Sequence, residues 1–318
     1  MEILRVNLLS PMVLAFVLGI TAALLKSDLK IPEQVYSIIS LYLLFSIGLK
    51  GGFDLAKSPL TGFLLPALAA MAIGIVIPVW STPILRRIGG FSGTDAASIA
   101  IHYGAVSATT LSACIAFISE LGVPCEGYMP TMYVVMELPA VLVGLLIARR
   151  MEGGSTDEPV ELLRGTISGK SFLLLLGGKL IGLIAGRVGE SQVGPIFIDL
   201  FPGVLTLFLL EMGMVVGRRL SLLREVGVFL VIFGMLMPLL HGLLGVWLGT
   251  LAGLSPGGSL ILATTAASAS FITAPATVRA NIPKADAGLA LTASIAVTFP
   301  FTLIVGIPLY YEVALMLA

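Results

Sequence analysis

Ten stretches of about twenty mostly apolar residues follow one another along this 318-residue chain, at roughly 8–25, 34–49, 61–80, 95–120, 128–148, 171–188, 197–217, 226–250, 258–280 and 286–316. An α-helix needs about that length to cross the hydrocarbon core of a bilayer. Within that core every backbone N–H and C=O must find its partner inside the protein. Only 11% of the residues are charged, against 57% hydrophobic, whereas a water-soluble domain carries about a quarter charged residues. The chain therefore reads as an all-α integral membrane protein with ten transmembrane helices, its first partner the lipid bilayer. A net charge of zero points to no nucleic-acid partner. The first stretch has no basic leader and no small-residue cleavage site, so it reads as a span and not as a signal peptide. Cys114 and Cys125 are too few for a disulfide framework and lack metal-site spacing, so both read as structural.

The cations orient the spans. One set of connections holds Lys26, Lys30, Arg86, Arg87, Arg149, Arg150, Arg164, Lys170, Arg218, Arg219, Arg224, Arg279 and Lys284. The other set, with the amino terminus, holds Arg5, Lys50, Lys57 and Arg187, while Lys179 falls inside a span. Thirteen against four puts the first set in the cytoplasm and both termini outside. Trp80 and Trp247, near span ends, read as interface anchors.

The longest polar stretch, residues 149–170, divides the spans into five and five. The halves share landmarks. "LFSIGLKGG" (44–52) answers "LLEMGMVVG" (209–217), "GAVSATT" (104–110) answers "AASASFIT" (266–273), and "ELPAVLVG" (137–144) answers "TFPFTLIVG" (298–306). The offsets are 213 − 48 = 165, 270 − 107 = 163 and 300 − 139 = 161. Because each half has an odd number of spans, the second must be inverted relative to the first. That predicts a first five-helix repeat over 1–150, a cytoplasmic linker over 151–170 and a second, inverted repeat over 171–318. Secondary transporters are often built this way, with sites at the midplane on discontinuous helices.

The second landmark pair falls in the middle of the fourth and ninth spans, where Gly, Ser and Thr crowd together. A broken helix inside a membrane is tolerated only within protein or beside a watery cavity. Each break exposes the free N–H groups and the positive dipole end of the half-helix that follows. Gly104, Ala105, Val106, Ser107, Thr109, Ser268, Ala269 and Ser270 are therefore the candidate substrate-binding residues, suited to a small anion. Helix packing by small residues is the alternative, but two such stretches at matching positions favour a site.

At these residues the chain resembles the sodium-dependent bicarbonate transporter family of cyanobacteria and other bacteria. The resemblance rests on "SPMVLAF", "IGLKGG", "GAVSATT", "MELPA", "MGM" and "AASASFITAPATVRANIP", and runs over the whole membrane portion. It implies a homotrimeric symporter of the bacterial inner membrane that imports bicarbonate with sodium. It also implies a PII-like regulatory protein on the cytoplasmic face, and no cofactor beyond the coupling sodium ion. Phe271 stands where the family carries an aspartate, a natural sodium ligand. Thr110, Thr273 and Glu137 are then the candidate cation-coupling residues. His102, absent from the family pattern, is a possible proton site. A proton-coupled or uncoupled carrier or channel for another small anion is the alternative.

Ionisable residues inside spans are costly and tend to be functional. Glu137, two residues before Pro139, fits a cation site of hard oxygen ligands. Glu211 and Lys179, at comparable depth in adjoining spans, read as a structural ion pair, and His241 beside Pro238 as structural. An enzyme is disfavoured: there is no nucleophile elbow, no HExxH and no phosphate loop.

Overall fold

The computed structural model describes residues 8–57, 62–152, 170–222 and 226–318. Almost all of the linker expected over 151–170, with Arg5, Arg164 and Arg224, lies outside the described residues. Helices and turns make up the described residues, with no strand among them. In chain order the helices are α1 (Pro11–Leu24), α2 (Glu33–Lys57), α3 (Leu64–Arg87), α4 (Gly93–Gly104), α5 (Ala108–Glu120), α6 (Met132–Glu152), α7 (Lys170–Gly194), α8 (Phe201–Arg219), α9 (Val228–Leu251), α10 (Pro256–Ala266), α11 (Thr273–Asn281), α12 (Ala287–Ala293) and α13 (Ile307–Leu317).

Among the described residues, seven stretches are long and apolar enough to cross a membrane, where the hydrophobic pattern predicts ten. The difference falls at three places. α1 has only 14 residues. Leu173–Leu222 is one apolar stretch of 50 residues holding both α7 and α8, with a π-helical turn at Pro195–Asp199 between them. The ninth predicted span is cut into α10, with 11 residues, and α11, with 9.

Local sequence explains the helix starts. Ser10, Ser92 and Ser255 each turn a side-chain oxygen onto a free N–H of the first turn, and Asp286 does the same for α12. Prolines shape the interiors. Pro238 in α9 cannot bond to the carbonyl four residues back, which belongs to Gly234. The Thr298 hydroxyl takes up that carbonyl at 2.8 Å, and Tyr103 of α4 closes the chain with a 2.7 Å bond to Thr298. Between α12 and α13 the rod loosens into π turns at Ser294–Thr298 and Thr302–Gly306, on either side of Phe299–Phe301. Pro300 and Pro308 lie in and just beyond these turns and account for them.

The helices pack in two groups. α1 lies along α8, α2 lies along α7, and α8 also meets α2. In the other group α3 packs on α4, α6 and α9, while α10 packs on α5, α9 and α13. Glycines set the closeness of the first group. A Cβ on Gly19 would stand 3.0 Å from the Gly213 Cα, and one on Gly52 would stand 2.8 Å from the Gly182 Cα. Gly48 and Gly178 make a similar crossing at 3.1 Å. The landmark glycines Gly48 and Gly213 thus each mark a place where two backbones nearly touch.

Candidate functional site

α4 stops at Gly104 and α5 starts at Ala108, with Ala105 and Ser107 in extended conformation between them. α10 stops at Ala266, and six residues pass before α11 begins at Thr273. These are the two breaks the sequence predicts, and they cross each other. The Ser107 N–H donates to Ser268 Oγ at 2.9 Å, and the Ser270 N–H donates to the His102 carbonyl at 2.7 Å. Ser268 in turn donates to the Thr265 carbonyl at 2.7 Å. Its hydroxyl is thus fully used in holding the crossing.

Ser107 and Ser270 are placed differently. Ser107 Oγ accepts the Thr110 N–H at 3.2 Å, and Ser270 Oγ accepts the Ala274 N–H at 3.2 Å. Each caps the half-helix that follows it and keeps its own O–H for another acceptor. At the start of α5, helix geometry leaves the N–H groups of Ala108 and Thr109 without intrahelical acceptors. Ala108 and Thr109 line a cavity of about 10 Å³ together with Ser112, Ser40 of α2, Phe208 of α8 and Ile272 at the start of α11. That is room for about one water. Both half-helix starts therefore border one small, mostly apolar space. Ala108, Ser112, Ser40 and Ile272 escaped the sequence reading. Ser112 lies one turn beyond the recognised motif, and Ser40 comes from a distant helix that only packing brings near.

Ala105, Val106, Thr109, Thr110, Ser268, Ala269 and Ser270 are all buried. Gly104 does not face the cavity as an open backbone. A Cβ there would meet Pro78 at 2.7 Å and Ala140 at 3.2 Å, so its smallness serves the packing of α4 on α3 and α6. Phe271 is buried with its ring edge-on to Phe299 at 5.6 Å, and Phe299 is edge-on to Phe16 at 5.5 Å. In place of an acid, the chain has an aromatic row that ties the second break to α1.

Glu137 of α6 is 3% exposed. The side chains of Tyr133, one turn earlier, and Thr273, the first residue of α11, hydrogen-bond to its carboxyl group. Its Oε1 has no hydrogen-bond partner. Two of the three predicted coupling residues are thus brought together, with Tyr133 added. His102 is wholly buried: Nδ1 lies 2.8 Å from the Ser98 carbonyl, and Nε2 has no partner.

The expected Glu211–Lys179 pair is not made. Lys57–Glu190 is the ion pair among the described residues. Glu211 is held by the Ile31 backbone on α8, which packs on α1. Lys179 lies where α7 crosses α2, lining a small cavity with Gly48 and Thr131. The two groups occupy different seams. Trp80 also has a partner inside the protein. Its Nε1–H donates to His241 Nε2 at 3.0 Å, with the two rings stacked at 5.3 Å. His241 joins α9 to α3, the structural role its sequence position suggested.

A family model described as the Na+-dependent bicarbonate transporter superfamily matches residues 11–315 of the chain. No curated protein matches it. The resemblance read from the motifs therefore holds over nearly the whole length.

Proposed function

We propose, starting from the fact that the chain belongs to the Na+-dependent bicarbonate transporter superfamily, that it imports bicarbonate with sodium, binding the anion between the starts of α5 and α11. Membership makes it a membrane transporter and not an enzyme. The observation that carries the site is the crossing of the two breaks, with Ala108, Thr109 and Ile272 bordering one cavity. Two helix starts and the hydroxyls of Ser107 and Ser270 are donors that suit a small oxyanion, with the Glu137 carboxyl held by Thr273 at the start of α11 left for the cation. The cavity must widen to admit bicarbonate, as a carrier site does when it opens.

Ten crossings in two inverted repeats, 1–150 and 171–318 about a cytoplasmic linker, are part of the same reading. The packing supports it, since exchanging the halves turns the α1–α8 contact into the α7–α2 contact. Pro78 and Pro238 add a fourth landmark at 238 − 78 = 160. Lys170 donates to Ser37 at 3.1 Å and the Asp286 N–H to Asp95 at 2.7 Å. Each bond joins two connections that the charge bias assigns to the same, cytoplasmic side, which supports the reading with both termini outside. A bacterial inner-membrane homotrimer with a PII-like cytoplasmic regulator completes the proposal.

For the cation, Glu137 with Tyr133 and Thr273 supplies a carboxylate and hydroxyls, and Thr110 at the first break contributes another. With Phe271 in the family acid's place, ligand charge is reduced and sodium is held more weakly. Proton coupling through Glu137 or His102 is the second reading, favoured by the partnerless Glu137 Oε1 and His102 Nε2.

Uptake of labelled bicarbonate into proteoliposomes, with and without sodium and proton gradients, tests the proposal. Accumulation driven by sodium supports it, accumulation driven by protons alone selects the second reading, and no bicarbonate flux overturns both. Within that assay Ser107→Ala and Ser270→Ala are each expected to weaken bicarbonate binding about 10- to 100-fold, the loss of one hydrogen bond to a charged group. Unchanged affinity in both variants, correctly folded, would refute the site.

A further inference from the structure

At the end of the molecule where α2 and α5 finish and α8 begins, a cavity of about 220 Å³ opens between them. Ser46, Lys50 and Asp54 line it from one face of α2, Ser119 from α5, and Cys125 and Glu126 from the loop that follows. Its charges are unevenly committed. Both oxygens of Glu126 are occupied, one by the Ser255 N–H at 2.6 Å and the other by the Ser255 hydroxyl at 3.1 Å. Lys50 reaches across toward α5, where Nζ lies 3.4 Å from Ser119 Oγ. It forms no salt bridge among the described residues, although Asp54 is one turn further on. Ser46, one turn before Lys50, is 1% exposed and lies beside the Tyr42 hydroxyl one turn earlier.

An ammonium group and two hydroxyls thus face one side of the cavity, with the Asp54 carboxylate close enough to feel the ammonium's charge. Asp54 carries the carboxylate still open to a cation. The same α5 that ends at this cavity begins at the first break, about 17 Å away at 1.5 Å per residue. A lysine beside a helix carboxyl end also offsets its dipole, a structural role that any useful test must separate.

We propose that Lys50, with Ser46 and Ser119, forms a transit site where a small oxyanion binds before it reaches the broken helices. This rests on the carrier reading above. The ammonium supplies an attractive charge beside the Asp54 carboxylate, and the hydroxyls supply directional donors for the ligand's oxygens. The site lies at the end of α5 remote from the first break, so it would govern capture and not the turnover step.

The full chain in proteoliposomes provides the test. Lys50→Gln is expected to raise the KM for bicarbonate about tenfold, the loss of one charge-assisted hydrogen bond, with Vmax retained. Lys50→Arg should restore KM, and Ser119→Ala should raise it less than Lys50→Gln. A second readout needs no transport. Cys125 is exposed and Cys114 is buried, so thiol labelling reports on this cavity. The rate ratio of an anionic to a cationic methanethiosulfonate reagent should fall in Lys50→Gln, and bicarbonate should slow labelling in the unmodified protein. An unchanged KM with an unchanged labelling ratio overturns the site, as does failure of bicarbonate to protect Cys125. A Lys50-dependent ratio and bicarbonate protection in a protein that moves no bicarbonate would uphold the oxyanion site and reject the carrier reading.

Discussion

Replacing Glu137 by glutamine is expected to abolish gradient-driven accumulation of bicarbonate while leaving exchange across the membrane intact. A carboxyl group 3% exposed inside a span is expensive when charged unless a cation or a proton accompanies it. Tyr133 and Thr273 offer it hydrogen bonds, but no basic side chain forms an ion pair with it among the described residues. Its balancing charge must therefore be a mobile one. Glutamine keeps the shape and one acceptor oxygen for Tyr133 or Thr273 and removes the charge, so the fold should persist. The coupling ion then loses its strongest ligand, and the accumulation ratio should fall to about that of an uncoupled carrier. Uptake with an imposed gradient, compared with counterflow at equal concentrations, reads the two quantities separately. A glutamine variant that still concentrates bicarbonate would remove Glu137 from the coupling mechanism.

Gly213→Val is expected to prevent assembly of the native fold. A Cβ on Gly213 would stand 3.0 Å from the Gly19 Cα and closer still to the Phe16 carbonyl. Backbone cannot turn aside as a long side chain can, so α1 and α8 would have to separate along their whole contact. Overpacking of a core costs about 1–3 kcal/mol where neighbours can adjust, and here they cannot. The expected result is loss of the monodisperse peak in detergent size-exclusion chromatography. Gly177→Ala is the matched control. A Cβ there meets nothing within 4 Å, and alanine favours a helix over glycine by about 1 kcal/mol. Equal behaviour of the two variants would show that the α1–α8 contact is not needed for folding.

The two breaks were legible because serine, threonine and glycine crowd the middle of an apolar span at matching places in both halves, where lipid alone would select bulky aliphatic residues. The capping roles of Ser107 and Ser270 were not read from the sequence, which offered both only as ligands for a substrate. What Ser268 does was not foreseeable, since its partner, the Ser107 N–H, lies 161 residues away. Gly104 was readable as a small residue, but only the neighbouring Pro78 and Ala140 decide what its smallness is for. The supposed Glu211–Lys179 pair failed for a related reason. Depth along a span can be counted from the sequence, whereas which faces of which helices meet depends on glycine seams formed far from either charge. The partner of Trp80, His241, likewise comes from another helix and could not be counted from the sequence. The ten-span pattern was hardest to transfer to lengths. α1 is short, and α7 and α8 share one apolar stretch although the chain kinks at Gly186 (φ 53°), close to the predicted end of the sixth span.

The crossing of the breaks has a kinematic consequence. The Ser107 N–H bonds to Ser268, and the Ser270 N–H to the His102 carbonyl, so each bond runs from one half of the sequence to the other. Pulling the halves apart would orphan both groups in a dry interior, at a cost of about 1–3 kcal/mol each. The sequence halves are therefore not the bodies that move against each other. On the proposed carrier reading, the seam that slips would run instead between the group of α1, α2, α7 and α8, held close by its glycines, and the remainder, which carries both breaks. Each of those bodies takes helices from both halves. The bound ion would then travel as cargo on a carriage whose two sides come from opposite ends of the gene, past a stationary wall assembled the same way.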